Sequence, residues 1–400
     1  MNISAIICEY NPLHNGHKYQ IDLTRELTKC DGLIAIMSGN FVQRGEPALI
    51  DKWTRTAMAL KNGIDLVIEL PAAYAISSAE TFAKGAVSIL DDLKIIGSLS
   101  FGSETGKTKP LMEVAKVLSQ EPDIYKDRLK TYLAEGYPFP SARSKALGEY
   151  FSLTGKSQSF ECGILETSNN ILGIEYCKSI IQNKSQIIPV TIERRGGDYN
   201  NAEITGTFSS ATAVRKLLKE NLDSEALEHL LPASSLSIIM QLIEKNYDFT
   251  YPENVFDYIR FKAAVDINET MKGIPDTGEG LYKRVYKALL SSSNMEEAIQ
   301  GIKTKRYTYT RISRILAQYF IGFERFSDYK LSKQRCSYVR VLGFNPKGAE
   351  ILKEIKSESN LTIITKVPKN PEDPMLQLDL VSTRAYSIIN RSIRYNEDYL

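Results

Sequence analysis

Residues 8–20 read CEYNPLHNGHKYQ and hold two of the three histidines in a chain of 400 residues. The apolar run Ile3–Cys8 before them has the composition of a buried strand, and helical spacing begins near His17 and continues to Thr28. Asn11 suits a turn and Pro12 favours an extended approach, so the stretch reads as a strand-to-helix junction. In an open parallel sheet that junction lies at the carboxyl edge, where ligands bind. Gly16 removes a side chain just where helix N-terminal amides approach a phosphate. His14 and His17, three apart, share one helical face and can donate to phosphoryl oxygens as charge builds on them. With three His and 24 Gly in 400 residues, H-x-G-H is expected in about one such chain per thousand. Two other readings of the pair stand beside this one: histidines flanking a tight turn, and a metal pair with Glu9 as third ligand.

Beyond this junction, apolar runs recur at Leu33–Met37, Leu66–Leu70 and Leu99–Phe101. Helical patterns lie between them, near Lys52–Asn62 and Ser77–Leu93. This alternation predicts βαβ units and a Rossmann-like parallel sheet, an α/β fold. Residues of about 111–156 read as a helical insertion, broken by the proline-bearing stretch EGYPFPSARS, which predicts a turn or loop. The α/β pattern resumes with a helix near Ile171–Gln182, a strand at Ile187–Ile192 and a polar loop, ERRGGDYNNAEITGT. A further helix begins at Ser209–Ser210. The spacing predicts an α/β domain over 1–225 and a mainly helical domain over 226–400.

Composition bounds the function. Apolar residues are 43% and charged residues 24%, as in an ordinary globular protein. No apolar run approaches the ~18 residues of a membrane span, so no membrane association is expected. Glu9 and Asn11 come too early for a secretory signal. Cys8, Cys30, Cys162, Cys177 and Cys336 show no zinc or disulfide spacing, which suits a reducing cytoplasm. The net charge of +2 conceals an asymmetry: residues 301–340 hold ten Lys/Arg against Glu324 and Asp328, so the window carries +8 and the rest about −6. There Lys303, Lys305, Arg306, Arg311 and Arg314 interleave with Tyr307 and Tyr309. Such a surface suits RNA, the cations meeting phosphates and the tyrosines stacking on unpaired bases. A solvated amphipathic helix is the plainer reading of the same run.

NPLHNGH resembles the HxGH signature of the nucleotidyltransferase superfamily, whose members split ATP between its α- and β-phosphates. By that resemblance His14 and His17 are the catalytic pair that holds the phosphates through the transition state. The superfamily's second phosphate element is a serine-rich helix start followed by an arginine. FSSATAVRK supplies Ser209, Ser210, Thr212 and Arg215, and an N-cap serine leaves outward-facing amides for an anion; a plain N-cap with a surface arginine is the alternative. YKLSKQR imitates the lysine loop of the synthetase branch. It lies more than a hundred residues past the last core strand, inside the basic window, so Lys330 and Lys333 are assigned to RNA contact. Three further stretches are candidates. Gly102 in SFGSE leaves room for a nucleotide, or is a turn glycine. Asn169 and Asn170 either read adenine or ribose, or cap a helix. Arg194 and Arg195 suit phosphate or carboxylate, or a surface ion pair.

Together, IICEYNPLHNGH, MSGNFVQRGEPALIDKWTR, DLVIELP, SNNILGIEY, FSSATAVRK and RVLGFN resemble the bacterial tRNA(Met) cytidine acetate ligase family along essentially the whole chain. The resemblance implies activation of acetate by ATP as acetyl-adenylate, then acetylation of N4 of the wobble cytidine in elongator tRNA(Met). It carries an ATP-binding role onto Ile7, Cys8, Glu9, Tyr10, Asn11, Pro12, His14, Gly16, His17 and Gln20. The same role falls on Gly102, Asn170 and Arg195, with Asn169 and Arg194 as the alternative positions. Mg²⁺ is expected with ATP, with no metal ligands identifiable and no obligate protein partner. Two other functions fit the signatures in part: an adenylyltransferase making a nucleotide cofactor, and a non-catalytic RNA-binding protein on the same fold.

Overall fold

The computed structural model describes residues 1–156, 160, 163–194, 210–220 and 224–400. Its strands are β1 (Ile3–Cys8), β2 (Gly32–Ser38), β3 (Phe41–Val42), β4 (Glu46–Pro47), β5 (Leu66–Leu70), β6 (Ile96–Ser103), β7 (Ile188–Glu193), β8 (Tyr338–Phe344) and β9 (Thr362–Ile364). Seven of them form one sheet in the order β7-β6-β1-β2-β5-β8-β9, while β3 and β4 make a separate antiparallel hairpin. The strands β7, β6, β1, β2 and β5 run parallel, as the alternating pattern predicts. From β1 the chain builds outward through β2 and β5, then crosses back to build β6 and β7 on the other side. That reversal opens a crevice beyond the carboxyl ends of β1 and β6.

Alternation along each strand feeds two cores, one on each face. Ile3, Ala5, Ile7, Ile34, Ile36, Leu66 and Ile68 pack on one side. Ile6, Cys8, Leu33, Ala35, Met37 and Val67 pack on the other. A sheet covered on both faces yields the near-continuous apolar runs visible in the sequence.

The helical insertion consists of Thr108–Gln120, Asp123–Ala134 and Phe139–Leu153. EGYPFPSARS is only half loop. Pro138 is the N-cap of Phe139–Leu153 and Pro140 sits in its first turn, where a missing N–H costs nothing.

The sheet also crosses the division expected at residue 225. β8 pairs antiparallel with β5 and carries β9 beyond it. Docking β8 buries a charge network: Lys52 Nζ meets Glu69 at 2.8 Å and Asp398 at 2.9 Å, and Arg340 meets Asp398 at 2.6 Å and Glu69 at 3.2 Å. Two cations against two carboxylates leave the cluster neutral, which is what permits its burial. Between the two regions of sheet, the chain forms helices including Phe256–Val265, Leu281–Ser291, Met295–Ile302 and Tyr309–Phe320.

Candidate functional site

The loop after β1 delivers both histidines to the crevice. His14 is the N-cap of the helix Asn15–Thr28, with extended backbone. Its Nδ1 accepts from the Gly16 amide at 3.0 Å, and Nδ1 of His17 accepts from the His14 amide at 3.3 Å. This is a capping box made from two imidazoles. The rings stack with centroids 3.8 Å apart, and Tyr10 closes edge-on against His17 at 5.1 Å. Because each Nδ1 accepts, each neutral ring carries its proton on Nε2 and is a donor there. Burial, with Arg194 and Arg215 nearby, lowers the pKa of His14 to about 3, and burial beside His14 pushes His17 well below its usual value. Both imidazoles are therefore neutral across the ordinary pH range, each with an Nε2–H left to donate.

Beside the pair lies a cavity of about 440 Å³. Of the residues expected to bind ATP, Ile7, Cys8, Glu9, His14, Gly16, His17, Gln20, Gly102, Asn169 and Arg194 line it. Tyr10, Asn11 and Pro12 form the turn behind. Asn11 Oδ1 accepts from the Leu49 amide at 2.8 Å, and its carbonyl accepts from Arg215 Nη1 at 2.9 Å. Arg215 also reaches Thr212 Oγ1 at 3.1 Å, and Ser210 caps the helix Ala211–Lys219 through the Ala213 amide. The two signatures are thus physically joined. Arg195 and Ser209 lie outside the described residues.

Across the crevice a Cβ at Gly102 would lie 3.2 Å from Cγ of Arg194, so glycine keeps that approach open. Arg194 Nη1 donates to Asn169 Oδ1 at 3.2 Å. Asn170 is not on the cavity wall: its Oδ1 accepts the Glu104 and Thr105 amides at 3.0 and 3.3 Å, clamping the loop after β6. Glu104 returns the favour, accepting from Asn169 Nδ2 at 2.7 Å, the Asn170 amide at 2.7 Å and Thr167 Oγ1 at 2.8 Å. Burial opposes its ionisation, yet those hydrogen bonds hold its pKa below the usual carboxylate value.

Several site residues carry no signal that sequence reasoning caught. Arg55 is fully buried and gathers the carbonyls of Glu9 at 2.5 Å, Ser38 at 3.1 Å and Gly39, tying together the ends of β1 and β2. Gln43 and Arg44, in the turn between β3 and β4, also line the cavity. The Q-R-G turn, with Gly45 at φ +80°, is the local feature that marks them.

The basic window does not form one surface. Lys303, Lys305 and Arg306 are exposed, Arg306 pairing with Glu279, and Arg311 lies over the Tyr307 ring at 5.1 Å. Arg314, expected at an RNA surface, is buried and lines the cavity with Thr310. Arg340 is spent in the internal charge network. Lys330 and Lys333 are exposed, and nearby Arg335 grips Asp92 at 2.8 Å, at the far end of the helix Ala79–Asp92 from the cavity-lining Ala79. That end is ~20 Å away along the axis. Among the described residues no cluster of three or more His, Cys, Asp or Glu could hold a metal.

Residues 1–399 match the family model described as HIGH Nucleotidyl Transferase. The chain is 48% identical over 399 residues to the tRNA(Met) cytidine acetate ligase of Clostridium novyi, covering 100% of this chain and 98% of that one. It is 49% identical over 404 residues to that of Clostridium kluyveri, with the same coverage. Among solved structures, Thermotoga maritima TmcAL in its apo form superposes with a TM-score of 0.90 at 34% identity, over 100% of this chain and 96% of that one. The same protein bound with alpha-thio ATP gives 0.86 at 35% identity, over 97% and 95%.

Proposed function

The chain belongs to the HIGH nucleotidyl transferase family, and on that premise we propose that it is an ATP-dependent acetate ligase acting on tRNA(Met). It is an enzyme of the ligase class. It activates acetate as acetyl-adenylate, releases pyrophosphate, and acetylates N4 of the wobble cytidine of the elongator tRNA. The cytoplasm, where tRNA is modified, is its place of action.

The observation that carries this reading is the tautomer of the histidine pair. Both Nδ1 atoms are occupied by backbone amides, so two neutral Nε2–H donors face a crevice at the sheet's switch point. Such donors bind phosphoryl oxygens without themselves titrating, and they strengthen as charge accumulates between the α- and β-phosphates. Arg194 and Arg215 add positive charge beside them, the latter already fixed to Asn11. Gly102 and Asn169 supply the nucleotide's lateral wall. Mg²⁺ would enter with the nucleotide and be held mainly by phosphate oxygens and water, since it seldom uses an all-protein cage; among the described residues Glu9 and Glu193 are the carboxylates on the cavity wall.

The exposed cations Lys303, Lys305 and Arg306 immediately precede the helix whose Thr310 and Arg314 line the cavity. RNA gripped there is within a few residues of the adenylate. Incubating the protein with ATP, labelled acetate and elongator tRNA(Met), followed by mass analysis of the nucleosides, tests the assignment. Labelled N4-acetylcytidine is the expected product, and its absence with folded, ATP-binding protein overturns the reading.

A further inference from the structure

One wall of the cavity belongs to neither nucleotide signature. It is assembled from Gln43 and Arg44 of the hairpin turn, Ala79 and Phe82 of the helix Ala79–Asp92, and Thr310 and Arg314 of the helix Tyr309–Phe320. Side-chain amides pin these parts together: Gln43 Nε2 donates to the Ser77 carbonyl at 3.0 Å and Gln318 Nε2 to the Ile76 carbonyl at 2.6 Å. Gly45 lets the hairpin press on the helix backbone, where a Cβ would come within 2.2 Å of the Arg314 nitrogen.

Arg314 is only 8% exposed. Its Nε is buried without a hydrogen-bond partner, and among the described residues no carboxylate lies within ion-pair distance of it. The charges that act on it are Asp276, which favours its ionised form, and Arg311, which opposes it. Among the described residues the other guanidiniums near the cavity are engaged: Arg55 on carbonyls, Arg194 on Asn169, Arg215 on Asn11, while Arg44 acts on the Glu9 carboxyl. A desolvated guanidinium short of partners is costly unless an anion completes it, and its fork matches a carboxylate.

We propose that Arg314 is the residue that binds the carboxylate of acetate, with Ala79 and Phe82 bounding the space for its methyl group. This rests on the acetate-ligase reading above. Held there, one carboxylate oxygen bonds to the α-phosphorus as the bond to the α,β-bridging oxygen breaks. Pyrophosphate leaves with that electron pair, and no proton moves.

Acetate-dependent ATP–pyrophosphate exchange by the full chain, without tRNA, tests the proposal. For Arg314→Met the KM for acetate is expected to rise about tenfold or more, while affinity for a non-hydrolysable ATP analogue stays within about twofold. Arg314→Lys, which keeps the charge and most of the packing but loses the fork, gives an intermediate rise and decides the matter if the Met variant does not fold. An acetate KM unchanged in the Lys variant overturns the proposal. So does a rise confined to the KM for tRNA when the complete acetylation reaction is assayed alongside, which would place an RNA phosphate on Arg314, or a matching loss of nucleotide affinity. If wild-type exchange itself ignores acetate, the functional reading fails instead.

Discussion

The imidazoles of His14 and His17 stack at 3.8 Å between centroids, each with Nδ1 committed to a main-chain amide. One motif therefore does two jobs, closing the first turn of a helix and presenting two Nε2–H donors. The jobs separate by substitution. His14→Asn keeps an N-cap acceptor but loses the donor, so stability changes little while the rate of adenylate formation falls about 10²–10³-fold. His14→Ala loses the cap as well and adds about 1 kcal/mol of destabilisation. Parallel denaturation and exchange assays on the two variants resolve the roles.

The same pair sets a pH dependence. Both folded-state pKa values lie below the unfolded value of about 6.5, so the unfolded chain binds more protons as pH falls. This contribution to stability is full above pH ~6.5 and is lost progressively toward the His14 value of about 3. Melting temperatures measured from pH 7 to 4.5 are expected to fall, with a shallower slope in His14→Asn. Equal slopes in the two proteins would contradict the buried neutral state.

Gly102 sits on a strand with ordinary backbone angles, so alanine there strains nothing locally. The added methyl meets Arg194 Cγ at 3.2 Å and narrows the cavity that Gly102 lines. Gly102→Ala is expected to weaken binding of an ATP analogue about five- to tenfold, a cost of ~1–1.4 kcal/mol, with stability within ~0.5 kcal/mol of wild type. Calorimetric titration together with a melting curve checks both halves.

For the exposed cations the expected signature is salt dependence. Removing Lys303, Lys305 and Arg306 together should reduce the slope of log K against log salt for tRNA by about two to three, leaving ATP binding intact. Arg306 already pairs with Glu279, so the two lysines carry most of the change. Filter binding at several salt concentrations reads the slope, and an unchanged slope removes this surface from the RNA path.

Asp398, two residues from the C-terminus, bridges Lys52 at 2.9 Å and Arg340 at 2.6 Å inside the protein. Asp398→Ala leaves two buried cations against Glu69 alone and is expected to cost about 3–5 kcal/mol. Urea denaturation measures it; a loss under 1 kcal/mol would mean that water reaches the network.

The parallel strands and the two nucleotide signatures are legible in the amino-acid sequence because they rest on local rules: apolar runs of strand length, helix caps and glycines at strand ends. β8 is not legible in that way. Its centre carries Arg340, which reads as a surface charge until Glu69 and Asp398 are found against it. Asn170 and Asn169 look equivalent in a string, yet one clamps the loop after β6 and the other reaches Arg194.

The basic window shows the same division most plainly. By itself the sequence determined the α/β class, the strand-to-helix site at His14 and His17, and the excess of positive charge near residue 310. Only the tertiary structure decided where each charge goes: out to solvent at Lys303 and Lys305, into an ion-pair core at Arg340, and onto the cavity wall at Arg314. Periodicity and capping are set by neighbours a few residues apart, whereas the burial of a charge depends on groups hundreds of residues away that only folding brings alongside.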